Sequence, residues 1–354
     1  MSVSVQKKIE IFLHGSQKLH HLLIGLIFCF CLIDVCVASA NTQDEVVVVV
    51  PALEQPYAQL ISSMKKQLEQ QEEKGQAQQK DLSLRIVTLP ASGSSMPAND
   101  LFKPGQLVVS LGFRATEFTL ASKQNIRVIS SFVTRSAMEN IQQKNNTAGN
   151  GLQLLGVLYL DQPVSRILSL LRLVYPEAKK IGAVYGPVSV RRQEEVNHQV
   201  ASYPIAINDA VILEDDNPLK KLNAVFKGSD AVLVLPDKSS FNRRIAKWVI
   251  RLSIKNRVPV IGYSRKYAQA GALASVYSSI EQIAKQTAEL IYQWQTTIEN
   301  PDTQYLYPKY FSVSVNERVE KALGIQIDNR KTLVEQVNTM EGLQNNRIIE
   351  KQDN

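Results

Sequence analysis

Cysteine and histidine are almost confined to the start of the chain. Cys29, Cys31 and Cys36 are its only cysteines, and His14, His20 and His21 leave a single histidine, His198, in the remainder. If the first forty residues are removed, a thiol nucleophile, a CxxC redox pair and a cysteine zinc site are excluded. A histidine triad or multi-histidine metal site would have to be built around His198 alone. Glycine (16) and proline (14) are too few for a collagen-like or low-complexity chain of 354 residues. The sequence has no dense Lys/Arg block, Arg191-Arg192 and Arg243-Arg244 being its nearest candidates. With a net charge of only +7, it lacks the clustered basic footprint of a nucleic-acid binder. The signatures of several enzyme classes are also missing. The first strand runs into Val50-Pro51-Ala52-Leu53-Glu54, not GxGxxG, and there is no GxxxxGK[ST], GxSxG or HExxH. No cofactor, metal site or catalytic residue is therefore expected, and the chain does not read as an enzyme.

What the sequence does contain is, first, an address. Lys7, Lys8 and Lys18 precede an apolar run, Leu22–Ile33, that Asp34 ends, and Ala38-Ser39-Ala40 gives a small-x-small cleavage pattern. This is the layout of a secretory signal peptide, residues 1–40. The run is shorter than the roughly 20 apolar residues of a membrane span. The alternatives are an uncleaved anchor over 22–40 and a lipid anchor on Cys36, the latter disfavoured by the charge of Asp34. An exported chain of this length folds by core burial, without disulfides.

From residue 44 onward, strands and helices alternate. Val46-Val47-Val48-Val49-Val50 is apolar throughout, as in a strand covered on both faces. Similar runs recur at 84–89, 107–112, 127–133, 180–186, 210–213, 231–235, 258–263 and 272–277. Helical spacing marks 239–257 (Phe241, Ile245, Trp248, Val249, Leu252) and 278–297 (Ile280, Ile283, Ala284, Ala288, Ile291). Such alternation implies βαβ units and a parallel sheet. The polar stretch around Asn140–Asn150 reads as a seam between two blocks of about four strands each. The end of the chain, after Asp328, has weak apolar spacing and reads as a polar tail.

In an open parallel sheet, ligands bind beyond the carboxyl ends of the strands, where helix N-termini attract anions. Those ends offer Glu54, Tyr57, Gly112, Arg114, Thr116 and Thr134 in the first block, and Tyr185, Asp237, Tyr263 and Tyr277 in the second. Tyrosines could stack on a ligand or serve as core residues with a hydrogen-bonded hydroxyl. Asp237 could pair with an amine, or Pro236-Asp237-Lys238-Ser239 could simply cap a helix. Glu54 and Asp237 form the one carboxylate pair on offer, and sequence alone does not bring them together.

The order of features resembles ABC-transporter substrate-binding proteins of the kind that includes tryptophan- and tyrosine-type binding components. The likeness is carried by Leu168–Tyr185 (a leucine-rich helix, Pro176-Glu177-Ala178-Lys179, and a glycine strand) and by Ser229–Asp237. Val258–Ile261, Ala270–Ala274, Asn316 and Ala322-Leu323-Gly324-Ile325 add to it. It spans roughly residues 45–328 without a single diagnostic motif. The resemblance implies an α/β, two-lobed type I periplasmic-binding-protein fold, each lobe a mostly parallel sheet flanked by helices. It divides the chain into a first lobe over 41–155, completed by about 272–298, and a second over 156–271, completed by about 299–328. Residues 329–354 form the tail. It further implies a monomer in the periplasm that captures a small molecule, amino-acid-like or aromatic, and delivers it to an inner-membrane ABC permease. The alternative use of this architecture is a periplasmic ligand sensor signalling through a membrane partner. The chain departs from the family at Val276-Tyr277-Ser278-Ser279, where a Tyr-Gly-x-Asp is usual. The missing acid leaves Asp237 or Glu54 to meet a ligand amine.

Overall fold

A computed structural model describes residues 45–73, 82–90, 101–122, 124–144, 151–237, 243–296 and 302–352. The signal-peptide reading of 1–40, most of the proposed seam and Lys238-Ser239 lie outside the described residues.

The first sheet contains β1 (Glu45–Val50), β2 (Ser83–Thr88), β3 (Leu107–Leu111), β4 (Arg127–Val133), β5 (Gln153–Tyr159) and β11 (Gln304–Leu306), in the order β11-β5-β4-β3-β1-β2. Every pair in it is parallel. The valine run of β1 is buried on both faces because successive side chains alternate. Val46, Val48 and Val50 meet α1 (Tyr57–Glu73) and α9 (Ile280–Thr296), whereas Val47 and Val49 meet α2 (Phe113–Ala121) and α3 (Arg135–Lys144).

The second sheet contains β6 (Lys180–Tyr185), β7 (Ala206–Val211), β8 (Ala231–Val234), β9 (Val260–Gly262), β10 (Ala274–Tyr277) and β12 (Ser312–Val315), in the order β12-β10-β9-β8-β6-β7. Only the β10–β12 pair is antiparallel. One face carries α4 (Val164–Val174), α5 (Gln193–Ala201), α10 (Glu317–Leu323) and the start of α11 (Leu333–Gln352). The other carries α6 (Pro218–Lys227), α7 (Arg243–Asn256) and α8 (Arg265–Ala270).

Sheet membership differs from the expected division in four places. The expected boundary at 155/156 falls inside β5, which pairs with β4 from Gln153 to Tyr159 and belongs wholly to the first sheet. The described part of the polar seam, 140–144, is the end of α3, and the chain leaves the first sheet only at residue 160. Helix α9 completes the first lobe, but β10, just before it, pairs with β9 in the second. Strand β11 pairs with β5 rather than joining the second lobe. The tail is not wholly detached: Leu333 and Val337 are buried in the second lobe's core, and Glu341 pairs with Arg166. The chain thus passes between the sheets at 160–163, 278–279 and 307–311.

Candidate functional site

Two of these crossings, 160–163 and 278–279, floor a cavity of about 850 Å³ between the two sheets, and Ser312, just past the third, also lines it. Its first-lobe wall presents Phe132 and Thr134, and its second-lobe wall presents Asp237, Tyr263 and Tyr277. Phe132 reaches it through a backbone irregularity. The β4–β5 register shifts between Ser131 and Val133, and Phe132 adopts φ +58°. A bulge of this kind re-aims a side chain, and a non-glycine residue in the left-handed region stores strain. The Tyr57 ring packs edge-on against Phe132, with centroids 5.9 Å apart.

Asp237, at the end of the β8 segment, is buried, and its Oδ2 accepts hydrogen bonds from the Ser189 N–H (2.7 Å), the Ser189 hydroxyl (2.7 Å) and the Val188 N–H (3.2 Å). It therefore ties down the turn after β6 while facing the cavity. Tyr263 sits beside it. Burial, and then the Asp237 charge, raise the Tyr263 hydroxyl above its ordinary value, so it stays a neutral hydrogen-bonding group at neutral pH. Tyr277 shares a hydrogen bond with the Ser314 hydroxyl at 2.9 Å, which fixes its ring on the wall. Thr134 caps α3, its hydroxyl accepting from the Ala137 N–H at 3.3 Å.

The remaining sequence candidates do not line the cavity. Glu54 lies exposed in the loop before α1, apart from Asp237, so the structure does not assemble the carboxylate pair. Tyr57 stands behind Phe132. Gly112 is a close-approach position: at φ +84°, a Cβ there would meet the Tyr57 hydroxyl at 2.5 Å. Arg114 turns away and donates to the Pro90 carbonyl at 2.9 Å. Thr116 is buried under α2, donating to the Gly112 carbonyl and sharing a 2.7 Å bond with Ser130. Tyr185 is fully buried because β6 alternation places it with Ile181 and Ala183 in the core, and among the described residues its hydroxyl has no hydrogen-bond partner. Burial pushes that hydroxyl well above its ordinary value.

Sequence reasoning missed the crossings themselves. Asp161 follows β5 and accepts from the Arg135 N–H at 2.6 Å, holding the start of α3. Burial raises its carboxyl above the ordinary aspartate value, with the Arg192 charge and the Arg135 amide acting against that rise. Gln162 donates to the Ser278 hydroxyl (2.9 Å), and Ser278 donates to the Tyr310 carbonyl (2.7 Å), so all three crossings are bonded to one another. Arg166 extends the network. Its Nη1 donates to Gln162 Oε1 (2.7 Å) and the Pro308 carbonyl (2.6 Å), and its Nε donates to Glu341 (2.8 Å). Its guanidinium also lies 4.2 Å from the Phe311 ring centroid. The signal that could have found this floor is the Leu160-Asp161-Gln162-Pro163 that follows β5, a strand whose apolar run comes directly after the polar stretch 142–151.

The cavity walls offer aromatic surface, buried hydrogen-bonding groups and flanking charges from Glu281, Arg265 and Lys266. His198 is exposed on α5 and does not line it. Among the described residues, no group of three or more His, Cys, Asp or Glu side chains is placed to hold a metal ion.

Residues 99–338, more than half of the chain, match the family model for ABC transporter substrate binding proteins. The chain belongs to that family. Solved structures agree on the fold. A conserved domain protein from Vibrio cholerae is 21% identical, with a TM-score of 0.52 over 83% of this chain and 98% of its own. An ABC domain from Streptococcus pneumoniae in complex with L-Trp is 17% identical, with a TM-score of 0.51 over 82% and 98%. A ligand-free, open substrate binding protein with adhesive properties from Clostridium difficile is 16% identical, with a TM-score of 0.59 over 81% and 96%. No curated protein matches the sequence. As a family member with two lobes, each built on a mostly parallel sheet flanked by helices, this substrate-binding protein carries its candidate pocket where the lobes meet.

Proposed function

We propose that the protein is an exported carrier that captures an amino-acid-like or aromatic small molecule between its lobes and delivers it to an ABC permease. It does so by reversible binding, with no covalent step and as a monomer. The observation that carries this reading is the interlobe cavity walled by aromatic rings from both sheets, Phe132 from one and Tyr263 and Tyr277 from the other. Flat apolar rings supply most of the contact area for a planar ligand, while a few fixed polar groups orient it. The L-Trp complex of the pneumococcal neighbour supports the same ligand class. Export rests on the N-terminal pattern, and periplasmic residence follows from it. Among the described residues, no helix is long and apolar enough to cross a membrane.

Native mass spectrometry on protein purified from its own cells tests the ligand claim. A discrete small-molecule adduct is expected. X-ray scattering with a panel of aromatic and aliphatic amino acids tests capture by closure, with a reduced radius of gyration expected for the bound member. The reading fails if no adduct is found and no panel member changes the scattering curve or the melting temperature.

A further inference from the structure

The second lobe carries a basic face that the cavity does not use. From residue 238 through 280 the chain has no Asp or Glu, yet it contains Arg243, Arg244, Lys247, Arg251, Lys255 and Arg257. Helix α7 sorts these residues by its own periodicity. Ile245, Val249 and Leu252 turn inward onto the core shared with Leu222 and Phe226 of α6. Arg244, Lys247, Arg251 and Lys255, spaced at three and four residues, are exposed along the opposite side. Helix α6 adds exposed Lys220 and Lys227. Among the described residues, Lys220, Lys247, Arg251 and Lys255 have no ion-pair partner.

The same face exposes aliphatic side chains that a monomer in water gains nothing by exposing. Ile254 is 61% exposed and Leu219 43%. A shallow groove of about 490 Å³ runs between the two helices, with Leu219 and Leu252 along it and Lys220 and Lys255 beside them.

We infer that this face docks on an anionic phospholipid surface. A run of unpaired cations on an amphipathic helix complements the negative potential of such a bilayer, and interspersed aliphatic side chains enter between headgroups. A nucleic acid fits less well, because the face offers no aromatic platform for bases. Among the described residues its one aromatic side chain, Trp248, is half-buried and has the Arg244 guanidinium 5.3 Å from its ring centroid. The inference stands apart from the ligand reading, since the face lies away from the cavity walls that would hold a solute.

The test is co-sedimentation of the full chain with vesicles of phosphatidylcholine, with and without phosphatidylglycerol, compared with the triple variant K247Q/R251Q/K255Q. The N-terminal segment is common to both proteins, so the difference between them reports this face alone. Binding is expected on the anionic vesicles. It should weaken by about fivefold for each charge removed, which is roughly 1 kcal/mol per Lys or Arg. It should also fall steeply with salt. The substituted side chains are exposed and unpaired, so melting temperature should be unchanged, and circular dichroism checks the fold. A second variant, Ile254→Ser, should weaken binding while retaining the salt dependence. Equal binding of parent and triple variant to anionic vesicles overturns the inference. So does equal binding of the parent to neutral and anionic vesicles. Charge-dependent capture by a purified acidic protein partner with no vesicle binding assigns the face to that partner, and likewise overturns it.

Discussion

Asp237→Ala removes the whole carboxylate, whose Oδ2 alone accepts from three donors. Two of them, the Ser189 N–H and the Ser189 hydroxyl, are buried, each 2.7 Å from Oδ2, and the third is the Val188 N–H at 3.2 Å. A hydrogen bond to a charged group contributes about 1.5–3 kcal/mol, and a buried donor left unmade costs about 1–3 kcal/mol. These contributions overlap because the three donors share one oxygen, so the loss is about 3–4 kcal/mol. For a unit of this size that corresponds to a fall in melting temperature on the order of 10 °C. Asp237→Asn keeps an amide oxygen in the same place and forfeits the charge. Charge-assisted bonds are about twice as strong as neutral ones, so this variant should lose about 1–2 kcal/mol. Urea denaturation of parent and both variants reads the order parent, Asn, Ala directly. The Asn variant, still folded, then isolates any contribution of the charge to ligand affinity. An alanine variant within about 0.5 kcal/mol of the parent would refute the reasoning. It would mean that the 188–189 turn is held by something other than Asp237.

Gly112→Ala should destabilise by about 2–4 kcal/mol. Its φ of +84° with ψ of 172° lies in a region essentially reserved for glycine. The new Cβ would also sit 2.5 Å from the Tyr57 hydroxyl. Adding Tyr57→Phe should recover part of the loss in a double-mutant cycle, and strict additivity would refute the contact. Arg166→Met strands Glu341 and vacates the Pro308 carbonyl and Gln162; losing one partner of a buried pair costs about 3–5 kcal/mol. Denaturation should show that loss, and scattering should show a broader spread of lobe orientations. Asp161→Asn tests the raised carboxyl. A folded-state pKa above the unfolded one contributes stability below the unfolded value and loses it as pH rises through the folded value. The parent's melting temperature relative to the Asn variant should therefore be highest in acid and decline toward neutral pH. A difference that is flat with pH would refute the assignment.

What was legible in the sequence follows from how strongly each element signals itself. The valine run of β1 is apolar at every position because helices cover both faces. The three- and four-residue spacing of Ile245, Val249 and Leu252 reflects one buried face of α7. Strand ends then placed Thr134, Asp237, Tyr263 and Tyr277 on the cavity. Strands β11 and β12 gave no signal because they are three and four residues long and only half-buried. Strand β5 hid behind the polar stretch before it, and Asp161 and Gln162 were lost with it. Phe132 could not be placed from its position in β4, because a bulge and a positive φ turn it off the regular alternation. The misplacement of Tyr185 was avoidable: counting in twos from Ile181 puts its ring in the core.

The separation of the cores explains why polar residues occupy the crossings. No hydrophobic cluster among the described residues joins the two sheets: β1–β5, α1–α3, α9 and β11 pack among themselves, and α4–α8 pack with α10 and α11. Changing the angle between the lobes therefore exposes little core. The resistance comes from bonds at the junction, namely the Gln162–Ser278–Tyr310 chain, the Arg166 cluster and the Arg135–Glu195 ion pair at 2.8 Å. Hydrogen bonds and partly exposed ion pairs can be exchanged with water at a net cost of about 1 kcal/mol each, far less than parting a packed apolar interface. A junction held this way defines a preferred lobe angle and still permits others. A ligand bound between aromatic walls on both lobes can shift such a balance by no more than its differential affinity for the closed form.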